Sequence, residues 1–163
     1  MNQSMTGPRW LTLLGAALVV GALNFSIVGK ENIKRNGEIV YLRLAPVDPR
    51  SLMQGDYMAL RFVLVQELDK AVAANAREGE VRRAGVSLAA NRVATLADTT
   101  APATLQLRYR IRNGQVWLGT NAYFFQEGDA ERYSGARYGE FRVDHASGEA
   151  VLVGLRDETL KAL

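Results

Sequence analysis

Polar side chains are concentrated in two short stretches of this 163-residue chain. The first stretch combines carboxylates, an arginine, a hydroxyl and an amide, and its candidate binding residues are Asp48, Arg50, Ser51, Gln54, Gly55, Asp56 and Tyr57. Such groups can form a polar pocket for a ligand or for the backbone of a partner. The alternative interpretation is structural, with Asp48 capping a turn, Gly55 reversing the chain and Asp56 accepting hydrogen bonds from backbone donors.

The second stretch follows an apolar strand in the last third of the chain. Its candidate residues are Gln126, Glu127, Arg137 and Tyr138. If both stretches meet at one end of a sheet, Arg137 can form a bidentate bond to Asp56 or Glu127. Alternatively, Glu127 pairs with Arg132 or Arg137 on the surface and the tyrosines are half-buried. Phe124 and Phe125, just before this stretch, are expected in the core.

Residues suited to metal binding and catalysis are scarce. The chain has no cysteine and one histidine, His145, which excludes thiolate zinc sites, cysteine nucleophiles and multi-histidine metal sites. Carboxylates such as Asp48, Asp56 and Glu127 suit a hard cation, but nothing in their spacing favours one. We therefore assign no catalytic residue, no metal site and no cofactor.

The N-terminal region contains an uncharged apolar run from Trp10 to Val28, nineteen residues long. As a helix it would be about 30 Å long, the thickness of a hydrocarbon core, with Trp10 at the interface. The sequence predicts an uncleaved membrane anchor over residues 1–35. A cleaved signal peptide, for which Val20 and Ala22 suit the cleavage rule, and a buried core helix are the alternatives.

Charge is distributed unevenly between the anchor and the remaining residues. The charged residues of the anchor region are Arg9, Lys30, Lys34 and Arg35 against Glu31, which sum to the +3 of the whole chain. Residues 36–163 therefore have no net charge. The basic flank of the anchor suits anionic lipid headgroups, so membrane lipid is an expected partner. A neutral domain lacks the charge expected of a nucleic-acid-binding protein, and we expect no nucleic acid.

Residues 36–163 show the pattern of a mostly-β (α+β) domain with seven to nine short, mainly antiparallel strands and one covering helix. The predicted strands are 38–45, 57–66, a hairpin within 85–96, a hairpin of 105–112 and 115–119, then 122–125 continuing that sheet, and a hairpin of 138–143 and 150–155. The covering helix is predicted over 67–77, with helical turns at 51–54 and within 126–134 and a brief helix at the C-terminus. Asn113-Gly114 is the strongest hairpin signal.

Part of the first polar stretch carries a recognisable motif. The run from Gly55 to Phe62, GDYMALRF, resembles the signature of the GDYXXLXY family of small bacterial membrane-anchored proteins, whose function is not established. Residues 44–54, 124–128 and 136–141 are also similar to this family. Phe62 stands where the signature ends in tyrosine, so this position has no hydroxyl for chemistry.

The resemblance implies a single-pass anchor in the bacterial inner membrane and a domain on the periplasmic or extracellular side. It also implies a multi-pass membrane protein as partner, since such proteins are often encoded beside family members. The basic residues after the helix favour the opposite orientation by the positive-inside rule, whereas the short leader favours export. The resemblance supplies no reaction.

These observations leave three functions open. The first is a non-enzymatic accessory or interaction module of an envelope membrane assembly. The second is a small-ligand-binding envelope domain that uses Asp56, Arg137 and Tyr138 as hydrogen-bonding groups and Tyr57 for stacking. The third is a membrane-tethered serine hydrolase.

The hydrolase hypothesis depends on Ser51, which precedes Gly55 and Asp56 much as the serine of membrane signal peptidases precedes a Gly-Asp pair. The spacing here is shorter, and those enzymes need a lysine base on a neighbouring strand. The chain has four lysines, none of which falls in a predicted strand, and Lys70 falls in the predicted helix. We therefore favour a non-enzymatic function.

Overall fold

The computed structural model describes residues 9–46, 53–54, 57–72, 77–98, 100 and 102–163. The chain divides into two compact units, Met1–Asn32 and Ile33–Leu163. The first unit consists of most of one long helix, and the second holds the strands.

Helix α1 spans Arg9–Asn36 and is exposed along the apolar run. It is long and apolar enough to cross a membrane, which confirms the predicted N-terminal apolar helix. Asn24, the one amide in the run, donates from Nδ2 to the carbonyl oxygen of Val20 at 2.8 Å, so its polar group is satisfied within the helix. Lys34 and Arg35 in the last turn complement the helix dipole.

The second unit contains ten strands and two helices among its described residues. In chain order they are β1 Glu38–Arg43, β2 Met53–Gln54, β3 Tyr57–Ala59, α2 Val63–Val72, β4 Val81–Leu88, β5 Ala94–Leu96, β6 Leu105–Arg112, β7 Gln115–Trp117, β8 Ala122–Phe124, α3 Ala130–Tyr133, β9 Tyr138–Val143 and β10 Ala150–Arg156. Nine strands have three residues or more. The predicted mostly-β domain with one main helix is confirmed.

The strands form three antiparallel sheets with the orders β1-β9-β10, β2-β3-β8 and β5-β4-β6-β7. Along each strand, side chains point alternately to the two faces of the sheet, so every second residue can face the core. In β6, Leu105, Leu107, Tyr109 and Ile111 are buried in the shared core, while the residues between them point outward. Residues Asn113 and Gly114 have φ of 51° and 70°, as a two-residue turn between right-twisted strands requires.

The predicted strand over 57–66 is wrong beyond Ala59. The chain leaves the sheet there, and α2 begins at Val63, four residues before the predicted helix. The alternating apolar residues from Met58 onward suggested one strand, and they are indeed buried. Leu64 and Leu68 are four residues apart, however, and form the buried side of a helix turn.

Three further expectations are corrected. Met53–Gln54 forms β2 and pairs with β3 rather than forming a helical turn, and residues 51–52 lie outside the described residues. Strand β8 pairs with β3 instead of continuing the 105–119 sheet, and Gly119 in the connection after β7 has a φ of 112°, which glycine adopts readily. The C-terminal residues form turns capped by Asp157, whose carboxylate accepts from the backbone nitrogen of Thr159, and not a helix.

The end of the GDYMALRF run packs against the third family-like segment. Phe62 is 2% exposed and its ring centroid lies 5.3 Å from that of Phe141, edge to face. A Cβ atom at Gly139 would lie 2.8 Å from Cε1 of Phe62 and 3.1 Å from Cε2 of Phe141. Glycine at position 139 is therefore required by close packing.

We expect Gly139→Ala to lower the free energy of unfolding by about 1–3 kcal/mol, because the added methyl group overpacks this contact. Gly154→Ala, in the neighbouring strand, is the matched control, since a Cβ there meets no atom within 4 Å. Denaturant unfolding of the detergent-solubilised full-length protein measures both changes. Equal losses for the two variants would contradict the close-packing explanation.

Candidate functional site

Most of the first polar stretch lies outside the described residues. This applies to Asp48, Arg50, Ser51, Gly55 and Asp56, and to the side chain of Gln54. The backbone of Gln54 pairs with Tyr57 across β2 and β3. Tyr57 is thus the one residue of this stretch whose side chain the structure positions.

Tyr57 meets the second polar region through strand pairing. Tyr57 in β3 lies opposite Phe124 in β8, and their ring centroids are 5.7 Å apart. Phe124 is 74% exposed, so the expectation that it lies in the core is wrong. We call Tyr57 and Phe124 the aromatic patch. It joins the GDYMALRF run to the segment 124–128, two stretches whose meeting the sequence left open.

The opposite face of β8 is held by an aromatic cluster. The ring centroids of Tyr123 and Phe125 are each 5.2 Å from the ring centroid of Tyr133 in α3. Burial, together with a hydrogen bond to Tyr133, raises the pKa of the Tyr123 hydroxyl. Because alternate side chains in a strand point to opposite faces, anchoring Tyr123 and Phe125 inward turns Phe124 outward.

The turn after β8 presents Gln126 and Glu127, both exposed. Arg137 is also exposed, and its Nη1 donates to the carbonyl oxygens of Ala136 at 2.8 Å and Ser134 at 3.4 Å. Arg137 and Glu127 form no ion pair in the described part of the chain, so the predicted bond between them is wrong. The alternative partner, Asp56, lies outside the described residues.

Tyr138 is buried in the β1-β9-β10 sheet. Its hydroxyl accepts from Nη1 of Arg43 at 2.8 Å, and the Arg43 guanidinium lies 5.4 Å from the ring centroid. Arg43 also forms an exposed ion pair with Glu158 at 3.2 Å. Tyr138 therefore supports the sheet and is not placed to bind a ligand at the surface.

A buried ion pair near Tyr138 was missed by sequence reasoning. Glu140 is 6% exposed and accepts from Nε and Nη2 of Arg156. The register places Arg156 opposite Tyr138, which is two residues before Glu140 in β9. The bond between Arg156 and Glu140 therefore runs diagonally from β10 to β9. Glu140 lies in the predicted 138–143 strand, whereas Arg156 lies one residue beyond the predicted 150–155 strand, so the register of β9 and β10 was needed to pair them.

We expect Glu140→Ala to lower the free energy of unfolding by about 2 kcal/mol or more, because it leaves Arg156 charged, largely buried and unpaired. The control is Glu158→Ala, which removes a partner that is 58% exposed and changes stability by less than about 1 kcal/mol. Thermal unfolding followed by circular dichroism compares the two. If Glu158→Ala lowers the stability as much as Glu140→Ala does, burial does not determine how much each ion pair contributes to stability.

A cleft of about 590 Å³ opens beside α2. It is lined by the end of the GDYMALRF run, by α2, by β7 and by the following loop, with Arg61, Gln66, Arg112, Trp117 and Asn121 among its polar and aromatic residues. Asp69 forms one wall, where its carboxylate accepts from the backbone nitrogen of Val116 at 2.6 Å. Two separated segments, 59–69 and 112–121, build this cleft, so no local motif could have indicated it.

The ionisable groups with lowered pKa are turn and surface residues. Hydrogen bonds from Ser147 lower the pKa of Asp144, those from Thr159 lower the pKa of Asp157, and the bond from Arg82 lowers the pKa of Glu80. These groups stabilise turns and lie outside the cleft and the aromatic patch. Within the described residues, no three His, Asp or Glu side chains are grouped as metal ligands.

The fold thus defines a class of protein, a mostly-β domain that follows one apolar helix long enough to span a membrane. The family model of the GDYXXLXY proteins matches residues 19–155, and the chain belongs to this family, as the resemblance predicted. No curated protein and no solved structure matches the chain.

Proposed function

We propose that the protein is a non-enzymatic, single-pass interaction module of a bacterial envelope membrane assembly. In this proposal α1 anchors the chain in the inner membrane and the domain lies on the periplasmic or extracellular side. The observation that carries the proposal is the aromatic patch, in which the exposed ring of Phe124 lies against the partly buried ring of Tyr57 where two family-like segments meet.

Exposed aromatic side chains are typical of protein docking surfaces. Aromatic residues are enriched at interfaces and dominate binding energies because they bury a large area at a low entropic cost. Nothing in the packing of the domain requires Phe124 to be aromatic, since its side chain is three-quarters exposed and the core is filled from the other face of β8. A surface role explains its type.

The surroundings of the patch suit the same role. Strand β8 is at the edge of its sheet in the described part of the chain, where an extended segment of a partner can add as a further strand. Gln126 and Glu127 follow directly and provide a polar rim next to the apolar centre. The patch therefore resembles a small interface core with its rim.

A multi-pass membrane protein is the partner that we propose. A domain tethered by α1 moves within a thin layer above the bilayer, so a partner in the same membrane meets it at a high effective concentration. A small interface is then sufficient for a stable complex. This explains how a surface of two rings and a short edge strand can serve as the docking site.

The serine hydrolase hypothesis gains no support from the structure. Ser51 lies outside the described residues, while all four lysines are described. Lys30 and Lys34 are in α1, Lys70 is in α2, and Lys161 is in the C-terminal turn. None is on a strand, where the lysine base of such enzymes is found.

Site-specific photo-crosslinking tests the docking surface. A photoreactive phenylalanine analogue at position 124 is expected to form one principal adduct with a multi-pass membrane protein in native membranes. The same analogue at Asn91, exposed in the turn between β4 and β5, is the control and is expected to form no such adduct.

Phe124→Ser is expected to abolish co-purification of that partner while leaving the melting temperature nearly unchanged, because the side chain is exposed. An adduct of equal yield from positions 91 and 124, or the absence of a membrane-protein adduct from position 124, would refute the docking role of the patch.

The cleft favours a second function, the binding of a small anionic ligand. Arg61 and Arg112 line it, and Arg112 lies 5.2 Å from the ring centroid of Trp117. Inorganic phosphate is a suitable probe, with potassium chloride of equal ionic strength as reference. We expect phosphate to raise the melting temperature of the wild type and Arg61→Gln to remove the rise, whereas Arg137→Gln, outside the cleft, retains it. A rise unaffected by Arg61→Gln would exclude the cleft as the site.

A further inference from the structure

The outer face of the β4-β6-β7 sheet is strongly basic. Strand β6 buries every second residue from Leu105 to Ile111, and the residues between them put Arg108, Arg110 and Arg112 on the outer face. Three arginines in one row at two-residue spacing form a line of positive charge along the strand.

The neighbouring strands extend this surface. In β4, Arg83 lies opposite Arg108 and Val81 lies opposite Arg110, while in β7 Trp117 lies opposite Arg110. Directly opposite residues in an antiparallel pair share a face. We define the arginine face by Val81, Arg83, Arg108, Arg110, Arg112 and Trp117, and the neutral residues Gln106 and Gln115 lie on the same side of the sheet. The described positions of β4, β6 and β7 on this face include no carboxylate.

The arrangement is unfavourable for stability alone. Like charges directly opposite each other, as Arg83 and Arg108 are, destabilise a sheet. The ion pairs among the described residues involve Arg43, Arg82, Arg92, His145 and Arg156, and none involves an arginine of this face. An opposing charge from outside the domain would relieve the repulsion.

The net charge of the domain concealed this face. Residues 36–163 sum to zero, so four arginines gathered on one sheet leave an excess of carboxylates elsewhere in the domain. A neutral domain with such a separation of charge is oriented by a charged surface even though it is not attracted by its net charge.

We propose that the arginine face binds the anionic headgroups of the bilayer in which α1 is anchored. This rests on the anchoring in the proposed function. Arginine forms forked hydrogen bonds with phosphate oxygens, and tryptophan is the residue type enriched at the headgroup level of membranes. Val81, exposed beside the arginines, adds apolar area that suits the boundary between headgroups and acyl chains.

Lipid fits this face better than nucleic acid because of the tether. A domain held by a membrane helix meets the headgroup layer at a high effective concentration, so modest affinity suffices. Headgroup contact would also fix which way the domain faces and leave the aromatic patch, which is on another sheet, available to a membrane partner.

The two tryptophans allow a direct test with the full-length protein in lipid nanodiscs. Trp10→Phe leaves Trp117 as the only fluorescent tryptophan, and Trp117→Phe leaves Trp10 in the anchor. The discs contain phosphatidylcholine alone or with phosphatidylglycerol, and each type carries a headgroup-labelled nitroxide lipid as quencher. We expect Trp117 to be quenched at least twofold more in the anionic discs, and high salt to remove the difference.

A charge-matched pair of variants identifies the surface. Replacing Arg83, Arg108 and Arg110 with glutamine is expected to reduce Trp117 quenching to its level in neutral discs. Replacing Arg77, Arg132 and Arg137 with glutamine, at exposed arginines outside the face and outside the cleft, changes the net charge equally and is expected to retain the quenching. Arg112 stays in both variants because it contacts the Trp117 ring.

The outcomes separate the inference from the anchoring. If Trp10 is quenched in both disc types while Trp117 is quenched in neither, the anchoring stands and only the role of the arginine face is overturned. Trp10 unquenched would overturn the anchoring itself and the inference with it. Loss of Trp117 quenching in both triple variants would also overturn the lipid-binding role of the arginine face. So would a DNA duplex that shields Trp117 from a soluble quencher while Trp117 quenching shows no dependence on lipid, because that result would assign the face to nucleic acid.

Discussion

The contact between Phe62 and the strand β9 is the constraint on which the rest of the domain depends. Phe62 lies between the sheet segment of the GDYMALRF run and α2, and it fills the space that the missing side chain of Gly139 leaves. Leu44 bridges to Phe62, and its backbone nitrogen donates to the carbonyl oxygen of Arg137. Position 62 thus links the residue after β1 through its backbone and β9 through its ring, directly before α2 begins. The position needs an apolar aromatic ring and no hydroxyl, which explains why phenylalanine can stand where the family signature has tyrosine.

The same contact shows what the family-like segments do. Leu60 and Phe62 are core residues, Gly139 gives the ring its space, and Glu140 pairs with Arg156 within the sheet. These positions build the fold and leave few motif side chains for function. Within the described residues no buried side-chain nitrogen or oxygen lacks a hydrogen-bond partner. The described motif residues therefore act in packing and in hydrogen bonding within the domain.

Local signals in the sequence predicted much of the fold. The apolar run predicted α1, Asn113-Gly114 predicted the β6–β7 turn, and Ser147-Gly148 predicted the β9–β10 turn. Long-range pairing was beyond such signals. Nothing near Phe124 indicates that β8 leaves its sequence neighbour for β3, and the alternating residues from Met58 to Leu64 fit a strand as well as a strand followed by a helix. The exposure of Phe124 and the burial of Tyr138 follow from strand pairing, that of β8 with β3 and that of β9 with β1, which the sequence did not indicate, so neither could be predicted.

Net charge is a sum over the domain, and it discards the arrangement that matters for binding. Alternation in β6 assigns its apolar residues to the core and its arginines to the surface, so the strand pattern itself sorts charge by face. The sorting was visible in the sequence as LQLRYRIR, but the addition of Arg83 and Trp117 to the same face required the register of β4 and β7. The aromatic patch and the arginine face lie on different sheets, so the two binding roles proposed for them do not use the same strands. In that proposal the two roles support each other, because an orientation fixed by lipid reduces the rotational freedom that a partner must otherwise restrict on binding.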